Sequence, residues 1–510
     1  MRRAFPVPHS SLAFASHLGS ATLGFCYLAS RLRRMFKGFS RFLQRPGERL
    51  KTLFGPESAQ ITEDAAPTRQ VLPRDEHTVS RQNLSESALK VLYRLNGAGY
   101  DAYLVGGCIR DSLLGNRPKD FDVATNATPD EVRQLFRNSR IIGRRFRIVH
   151  VRFGREVIEV TTFRGRHGEE HTGNLSQQSD EGLLLRDNVW GSVEEDAIRR
   201  DFTVNALYYS VTDFAIHDWT GGLQDLDDCV LRLIGDPETR YREDPVRMLR
   251  AARFAAKLDF QIAEETEAPI RELAPLLLQI PPARLFEEVL KLFLSGHALQ
   301  SFRVLREHGL FAMLFPESDE VLNEQPWAIK LVEQALANTD ARIAQDRPVT
   351  PAFLFGALLW PCVQQRTLRI VHEQDLPGLP AQQAAAQQVI SRQLQHTSIP
   401  KRFSMPMRDI WDLQQQLPRR RGRRVFQTLE HPRFRAAYDF LLLREEAGEL
   451  TPGLGEWWSE FQQADEESQR QLLTSIDGSN PAGSSAKPRR RRPRKRRRPT
   501  NKPTPPTLDD

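Results

Sequence analysis

The chain has 510 residues, 40% of them hydrophobic, with a formal charge of +7 from 72 basic and 65 acidic side chains. That length predicts roughly three domains at about 150 residues each, with enough apolar material for real cores. The four cysteines, Cys26, Cys108, Cys229 and Cys362, form no CxxC pair and no zinc-ligand spacing, which speaks against a zinc module and for a reduced, cytosolic protein.

Residues 4–30 carry no Asp, Glu, Lys or Arg, but His, Ser and Gly make them a weak membrane span. They read as a non-essential extension, with Met35 as an alternative start and a basic amphipathic lead over 35–54. Residues 56–80 are rich in Pro, Thr and charge and read as a linker. Order is expected to begin near "SESALKVLYRLNGAG", whose apolar spacing is helical and ends on Gly. "AYLV" is a short strand, "GGCIRDSLLG" a turn entering a helix, and "DFDVAT" a second strand. "TPDEVRQLF" opens a helix with Thr128 as N-cap, Pro129 at N1 and Glu131 at N3, a capping box. "RIVHVRF" and "EVIEVTTF" alternate as a strand pair. Together these segments form a small α/β unit around a mixed sheet. Residues 166–192 are polar and glycine-bearing and suggest a mobile loop. From Asp227 to about residue 470 the helical period dominates. The Pro-, Gly-, Ser- and Arg-rich remainder cannot bury a core and is expected to be disordered. Its residues 487–502 hold eleven Lys and Arg and no acid, while the rest of the chain is net acidic. So dense a basic block seeks a polyanion.

Side chains alternate across a strand, so Asp120 and Asp122 share one face while Phe121 and Val123 anchor the other. Two carboxylates side by side repel each other unless a cation sits between them. Mg²⁺ suits the place, because it takes carboxylate oxygens together with substrate phosphates. A bare DxD is more often a solvated edge, so context has to decide. Glu159, between Ile158 and Val160, adds a third acid if its strand lies beside the first. Two Mg²⁺ ions held there would activate a hydroxyl nucleophile and steady a leaving pyrophosphate. Gly106 and Gly107 follow a strand and precede a helix, which lets the backbone approach a triphosphate, and Arg110 adds a planar, permanent charge. An ordinary strand-to-helix turn would look the same; the pairing of a phosphate cradle with a metal face within one small unit is what favours chemistry.

"LVGGCIRD", "DFDVATNATP", "RRDFTVNAL" and "YREDPVRMLRAARF" together resemble the nucleotidyltransferase branch that holds bacterial poly(A) polymerases and tRNA CCA-adding enzymes. The resemblance covers roughly residues 80–450. It implies that Asp120, Asp122 and Glu159 are the metal-binding catalytic acids and that Gly106, Gly107 and Arg110 hold the triphosphate of ATP. It places Asp201 at the active site and Arg200 near the nucleotide. Cys108 and Ile109 depart from the family pattern at positions whose side chains make none of these contacts. Asp244 is expected to cap a helix with Pro245 at N1, and Arg247 and Arg250 to share its face. The family reading makes Asp244 and Arg247 select the base. A carboxylate and a guanidinium accept A and C alike and refuse G and U, so this pair leaves the choice between poly(A) and CCA addition open.

Residues 141–151, "IIGRRFRIVHV", resemble a short signature of the poly(A) polymerases within that branch. The basic C-terminal region agrees: Arg419, Arg420, Arg421, Arg423 and Arg424, with Arg489, Arg490, Arg491 and Arg492, suit RNA backbone without sequence reading. "HGEEH", residues 167–171, matches a zinc-hydrolase pattern but lies among glycines and arginines in an expected loop, where no helix brings both histidines onto one face.

The expectation is therefore an α+β protein that adds AMP units from ATP to RNA 3′ ends without a template and releases pyrophosphate. A small α/β nucleotidyltransferase head occupies 81–225, after an extension and linker over 1–80. A helical neck with base recognition (226–300), a helical body (301–400), a helical RNA-binding region (401–475) and a disordered Arg-rich tail (476–510) follow. The resemblance implies a cytoplasmic monomer without stable membrane insertion, acting on RNA in processing and decay, with RNA-decay proteins as candidate partners. The rival readings are a tRNA CCA-adding enzyme and a non-catalytic RNA-binding protein on the same scaffold.

Overall fold

A computed structural model describes residues 69–143, 147–165, 176–178, 184–187 and 189–478. The N-terminal extension, Arg144–Phe146 of the signature, the His167–His171 pattern and the arginines at 489–492 lie outside those residues.

The head is built on one eight-stranded mixed sheet. Its strands are β1 (Gln70–Leu72), β2 (Ala102–Val105), β3 (Asp122–Thr125), β4 (Ser139–Ile142), β5 (Ile148–Phe153) and β6 (Glu156–Thr162), joined after a separate hairpin by β9 (Leu207–Ser210) and β10 (Ile216–Asp218). The order is β1-β10-β9-β2-β3-β6-β5-β4. The hairpin, β7 (Ser176–Gln178) with β8 (Leu184–Asp187), falls inside the segment expected to be loop. Its strands, SQQ and LLRD, are too short to show an alternating pattern.

Helix α1 (Glu86–Gly97) starts where Ser85 Oγ accepts the amides of Ser87 and Ala88 at 3.1 and 3.3 Å. Its Ala88, Val91, Leu92 and Leu95 are fully buried, one helical stripe laid on the sheet. Helix α2 (Gly107–Leu113) follows β2 directly. Helix α3 (Pro129–Leu135) begins with the expected Thr128–Glu131 capping box. It lies in the crossover from β3 to β6, which pair in parallel while the other six strand pairs are antiparallel.

After the sheet come α4 (Val193–Arg199, before β9), α5 (Gly222–Asp228), α6 (Pro237–Glu243) and α7 (Val246–Leu258), and the chain stays largely helical to Gly478. One hydrophobic core runs from Val123 in the sheet through Phe254 in α7 to Trp360 in the helical part. A second core, with Leu417, Val425, Phe434, Trp458 and Phe461, supports the C-terminal helices. Among the described residues no helix is long and apolar enough to cross a membrane.

Candidate active site

Strand register assembles the site. Residues directly opposite each other on neighbouring strands share a face. His217 faces Tyr208, Tyr208 faces Val105, Val105 faces Asp122, Asp122 faces Glu159, Glu159 faces His150, and His150 faces Arg140. The row is unbroken, and at its centre the parallel pairing of β3 and β6 sets Asp122 beside Glu159. Asp120 lies just before β3 and is exposed; Phe121 and Val123 are buried beneath, as the alternation requires.

Asp122 is mostly buried, and its carboxyl is pushed up to about 6 by that burial and by the charges of Glu159 and Asp120, against the pull of Arg200. A cation placed between such acids would favour their ionised forms. The acids do not close a cage: among the described residues no group of three or more His, Cys, Asp or Glu is arranged as a metal shell. Glu159 is 48% exposed, and its Oε1 lies 3.2 Å from His150 Nε2, within ion-pair distance but not aligned as a hydrogen bond. An open carboxylate face fits Mg²⁺, which keeps several waters and takes substrate phosphates for the rest.

The glycine turn stands at the end of β2, next to this face. Gly106 has φ +77° and ψ −136°, a conformation L side chains avoid. A Cβ there would come 3.8 Å from Arg200 Nη1 and 3.6 Å from the Asn205 carbonyl. Arg200 therefore lies beside the turn, and its charge acts on Asp122. It donates through Nε to Tyr208 Oη at 2.7 Å and through Nη2 to Asp196 at 3.0 Å, and Tyr208 Oη donates to the same carboxylate oxygen at 2.6 Å. Burial would weaken the Arg200 cation, but Tyr208 and Asp196 outweigh it and hold the pKa above its ordinary value.

Arg110 takes a different place from the one its sequence position suggests. It is only 2% exposed. Nε and Nη2 donate to Asp111 Oδ1 at 2.8 and 2.6 Å, Nη1 donates to Asn205 Oδ1, and the guanidinium covers the Phe254 ring. It braces the turn from below, within 3.3 Å of where a Gly107 Cβ would be.

Asp201 accepts three hydrogen bonds, from the Phe202 amide at 2.8 Å, Asn205 Nδ2 at 3.2 Å and Arg250 Nε at 2.7 Å, and Arg250 Nη2 lies within ion-pair distance at 2.5 Å. Burial alone would raise its carboxyl, but Arg250 and these bonds hold it at about 2. Asp201 is thus fixed as the buried partner of Arg250. Asn205 joins this pair to Arg110, and Phe254 packs under both arginines, so the head is fastened to α7.

Asp244 and Arg247 sit at the start of α7. Asp244 is extended and Pro245 already has αR dihedrals, so Asp244 caps the helix as expected and accepts the Val246 amide at Oδ1 at 3.4 Å. Each group has its own anchor. Arg284 Nη2 donates to Asp244 Oδ2 at 2.7 Å; Arg247 Nη1 donates to Glu243 Oε2 at 2.8 Å and to the Arg240 carbonyl at 2.6 Å. Arg247 and Arg250 therefore serve different partners. Sequence reasoning missed Glu243, Arg284, Asn205, Asp196 and Tyr208. The i,i+4 spacings of Glu243 to Arg247 and Asp196 to Arg200 were the available signal for two of them.

In the C-terminal helices, Arg419, Arg421, Arg423 and Arg424 are exposed on one loop, and Arg420 lies 5.2 Å from the Trp457 ring centre. Leu417 and Val425, both fully buried, pin the two ends of that loop, and Trp458 Nε1 donates to the Leu417 carbonyl.

Compared with known proteins, the chain is 51% identical over 451 residues to poly(A) polymerase I of Salmonella typhimurium, spanning 87% of this chain and 97% of that one. The chain belongs to the poly(A) polymerase I family. Three family models agree with it: the Poly A polymerase head domain over 102–232, the "Probable RNA and SrmB- binding site of polymerase A" over 259–322, and the polymerase A arginine-rich C-terminus over 374–498. The poly(A) polymerase I of Escherichia coli O6:H1 is likewise 51% identical, over 453 residues. The CCA-adding enzyme of Lactobacillus helveticus is 38% identical over only 223 residues, 44% of this chain and 53% of that enzyme. Among solved structures, a tRNA-processing enzyme in its apo form 2 shares the fold, with a TM-score of 0.50 at 22% identity over 76% of this chain and 99% of that one.

Proposed function

We propose that this poly(A) polymerase family member extends RNA 3′ ends with AMP from ATP, without a template. The observation that carries the proposal is the parallel pairing of Asp122 with Glu159, next to Gly106 and Arg200. The RNA 3′-hydroxyl attacks the α-phosphorus in line; a new P–O bond forms and the bond to pyrophosphate breaks. Asp120, Asp122 and Glu159 would hold Mg²⁺, two ions in our reading. When bound, Mg²⁺ lowers the hydroxyl's pKa and neutralises charge on the departing pyrophosphate.

The chain's own groups do the rest. The Gly106–Gly107 backbone leaves room for the triphosphate. Arg200, fixed by Tyr208 and Asp196, presents a permanent charge beside it. Arg110 and Asn205 keep the turn rigid, and the Asp201–Arg250 pair holds α7 against the head. Asp244 and Arg247, set by Arg284 and Glu243, stand as the base-reading pair.

The same reading assigns 81–225 to catalysis, 226–300 to base recognition, 301–400 to a helical body, 401–475 and the 476–510 tail to RNA binding, and the protein to a cytoplasmic monomer in RNA processing and decay, with RNA-decay proteins as candidate partners. The test offers ATP alone, CTP alone and both, on an unstructured RNA and on tRNA. Long tails from ATP alone are expected. CTP incorporation on tRNA would overturn poly(A) addition in favour of CCA addition, and no incorporation at all would favour a binding protein.

A further inference from the structure

Away from the sheet, four helices enclose a cleft of about 830 Å³. They are Pro326–Ala344, Pro351–Gln374, Lys401–Gln414 and Phe434–Glu446. Five arginines line the cleft: Arg342, Arg347, Arg402, Arg433 and Arg435. Only two carboxylates, Asp439 and Glu446, oppose them, and Asp439 is already paired to Arg435 at 3.0 Å. All five arginines are exposed. They come from three chain segments, 342–347, 402 and 433–435, so more than one wall contributes positive charge. The floor is aromatic: Phe353 and Phe403 are partly exposed within it, and Arg402 lies 4.8 Å from the Phe403 ring centre.

We infer that this cleft binds a single-stranded stretch of RNA upstream of the 3′ end being extended. Spaced guanidinium groups suit successive phosphates, and partly exposed aromatic rings accept any base by stacking. Two chain connections lead from the cleft to the exposed arginine loop at 418–424. Helix Lys401–Gln414 runs into it, and the short helix Arg424–Leu429 returns from it to Arg433. The inference rests on the reading of the protein as an RNA-extending enzyme, but its deciding readout is binding without ATP.

The experiment measures binding of fluorescently labelled A20 to the full chain by anisotropy, without ATP, across a salt series. Each phosphate contact in a single strand contributes about 0.7 to the slope of log K against log[salt]. Arg347→Ala with Arg433→Ala should reduce the slope by about 1.4 and weaken binding roughly tenfold near 0.15 M salt. Arg347→Lys with Arg433→Lys should restore most of the slope, since the point charge remains. Extension of a four-nucleotide primer by the Ala variant should match the wild type. Unchanged A20 affinity and slope in the Ala variant would overturn the inference. So would poly-glutamate of equal charge displacing A20 as well as unlabelled A20 does, because the cleft would then be a dock for acidic protein. If A20 binding shows the expected arginine dependence but wild-type protein adds no AMP, the cleft stands and the enzymatic reading fails.

Discussion

Replacing Arg250 by Ala removes the main counter-charge of Asp201. The Asp201 side chain is only 12% exposed and Arg250 33%, so the pair is partly shielded from solvent. Removing one partner of a buried pair costs about 3–5 kcal/mol; Asp201 keeps the Phe202 and Asn205 bonds, so the low end, about 3 kcal/mol, is expected. The pH dependence carries the sign. Asp201 is held at about 2, below the ordinary 3.8. A depressed carboxyl contributes stability that is fully present above about pH 4 and is lost as pH falls through 2. The difference between about 2 and 3.8 corresponds to about 2 kcal/mol. Urea midpoints at pH 8, 4 and 3 should therefore show the wild type losing part of this contribution in acid. The Arg250→Ala protein should start lower and lose none of it. In a double-mutant cycle with Asp201→Asn, the coupling should be about 2 kcal/mol. Coupling below about 0.5 kcal/mol, with parallel pH profiles, would refute the reasoning.

Three further outcomes are expected. Gly106→Ala must place a Cβ at φ +77°, which costs about 1–3 kcal/mol and should raise KM for ATP more than it lowers RNA affinity, read by steady-state kinetics and anisotropy. Asp122→Asn should stabilise the metal-free protein by about 1–3 kcal/mol above pH 6, where the wild-type carboxyl is forced to ionise, and give no gain below pH 4, measured by thermal melts in chelator. Deleting 486–510 should weaken RNA binding and flatten its salt dependence while sparing extension of a short primer, because eleven basic side chains lie in 487–502.

Much of the site was legible in the sequence because it rests on period and punctuation. The alternation of Asp120, Phe121, Asp122 and Val123 specified the acidic face, and paired glycines after an apolar strand specified the turn. Strand adjacency was not legible: nothing local to "EVIEVTTF" says that it pairs in parallel with "DFDVAT", and that pairing creates the Asp122–Glu159 contact. Arg110 shows a second limit. An arginine next to a phosphate-cradle motif looks solvent-facing until Asn205, 95 residues later, and Phe254 fold over it. Tertiary partners of this kind leave no periodic trace. The β7–β8 hairpin was missed for a related reason, since strands of three and four residues, SQQ and LLRD, show no alternation of apolar and polar residues.

The most direct measurement is AMP incorporation by Asp120→Ala and Asp122→Ala on an A20 primer with ATP and Mg²⁺, alongside RNA affinity by anisotropy. Both variants should lose tail synthesis while binding A20 within about twofold of the wild type. Wild-type tail synthesis in either variant would contradict the assignment of the paired carboxylates to the chemistry.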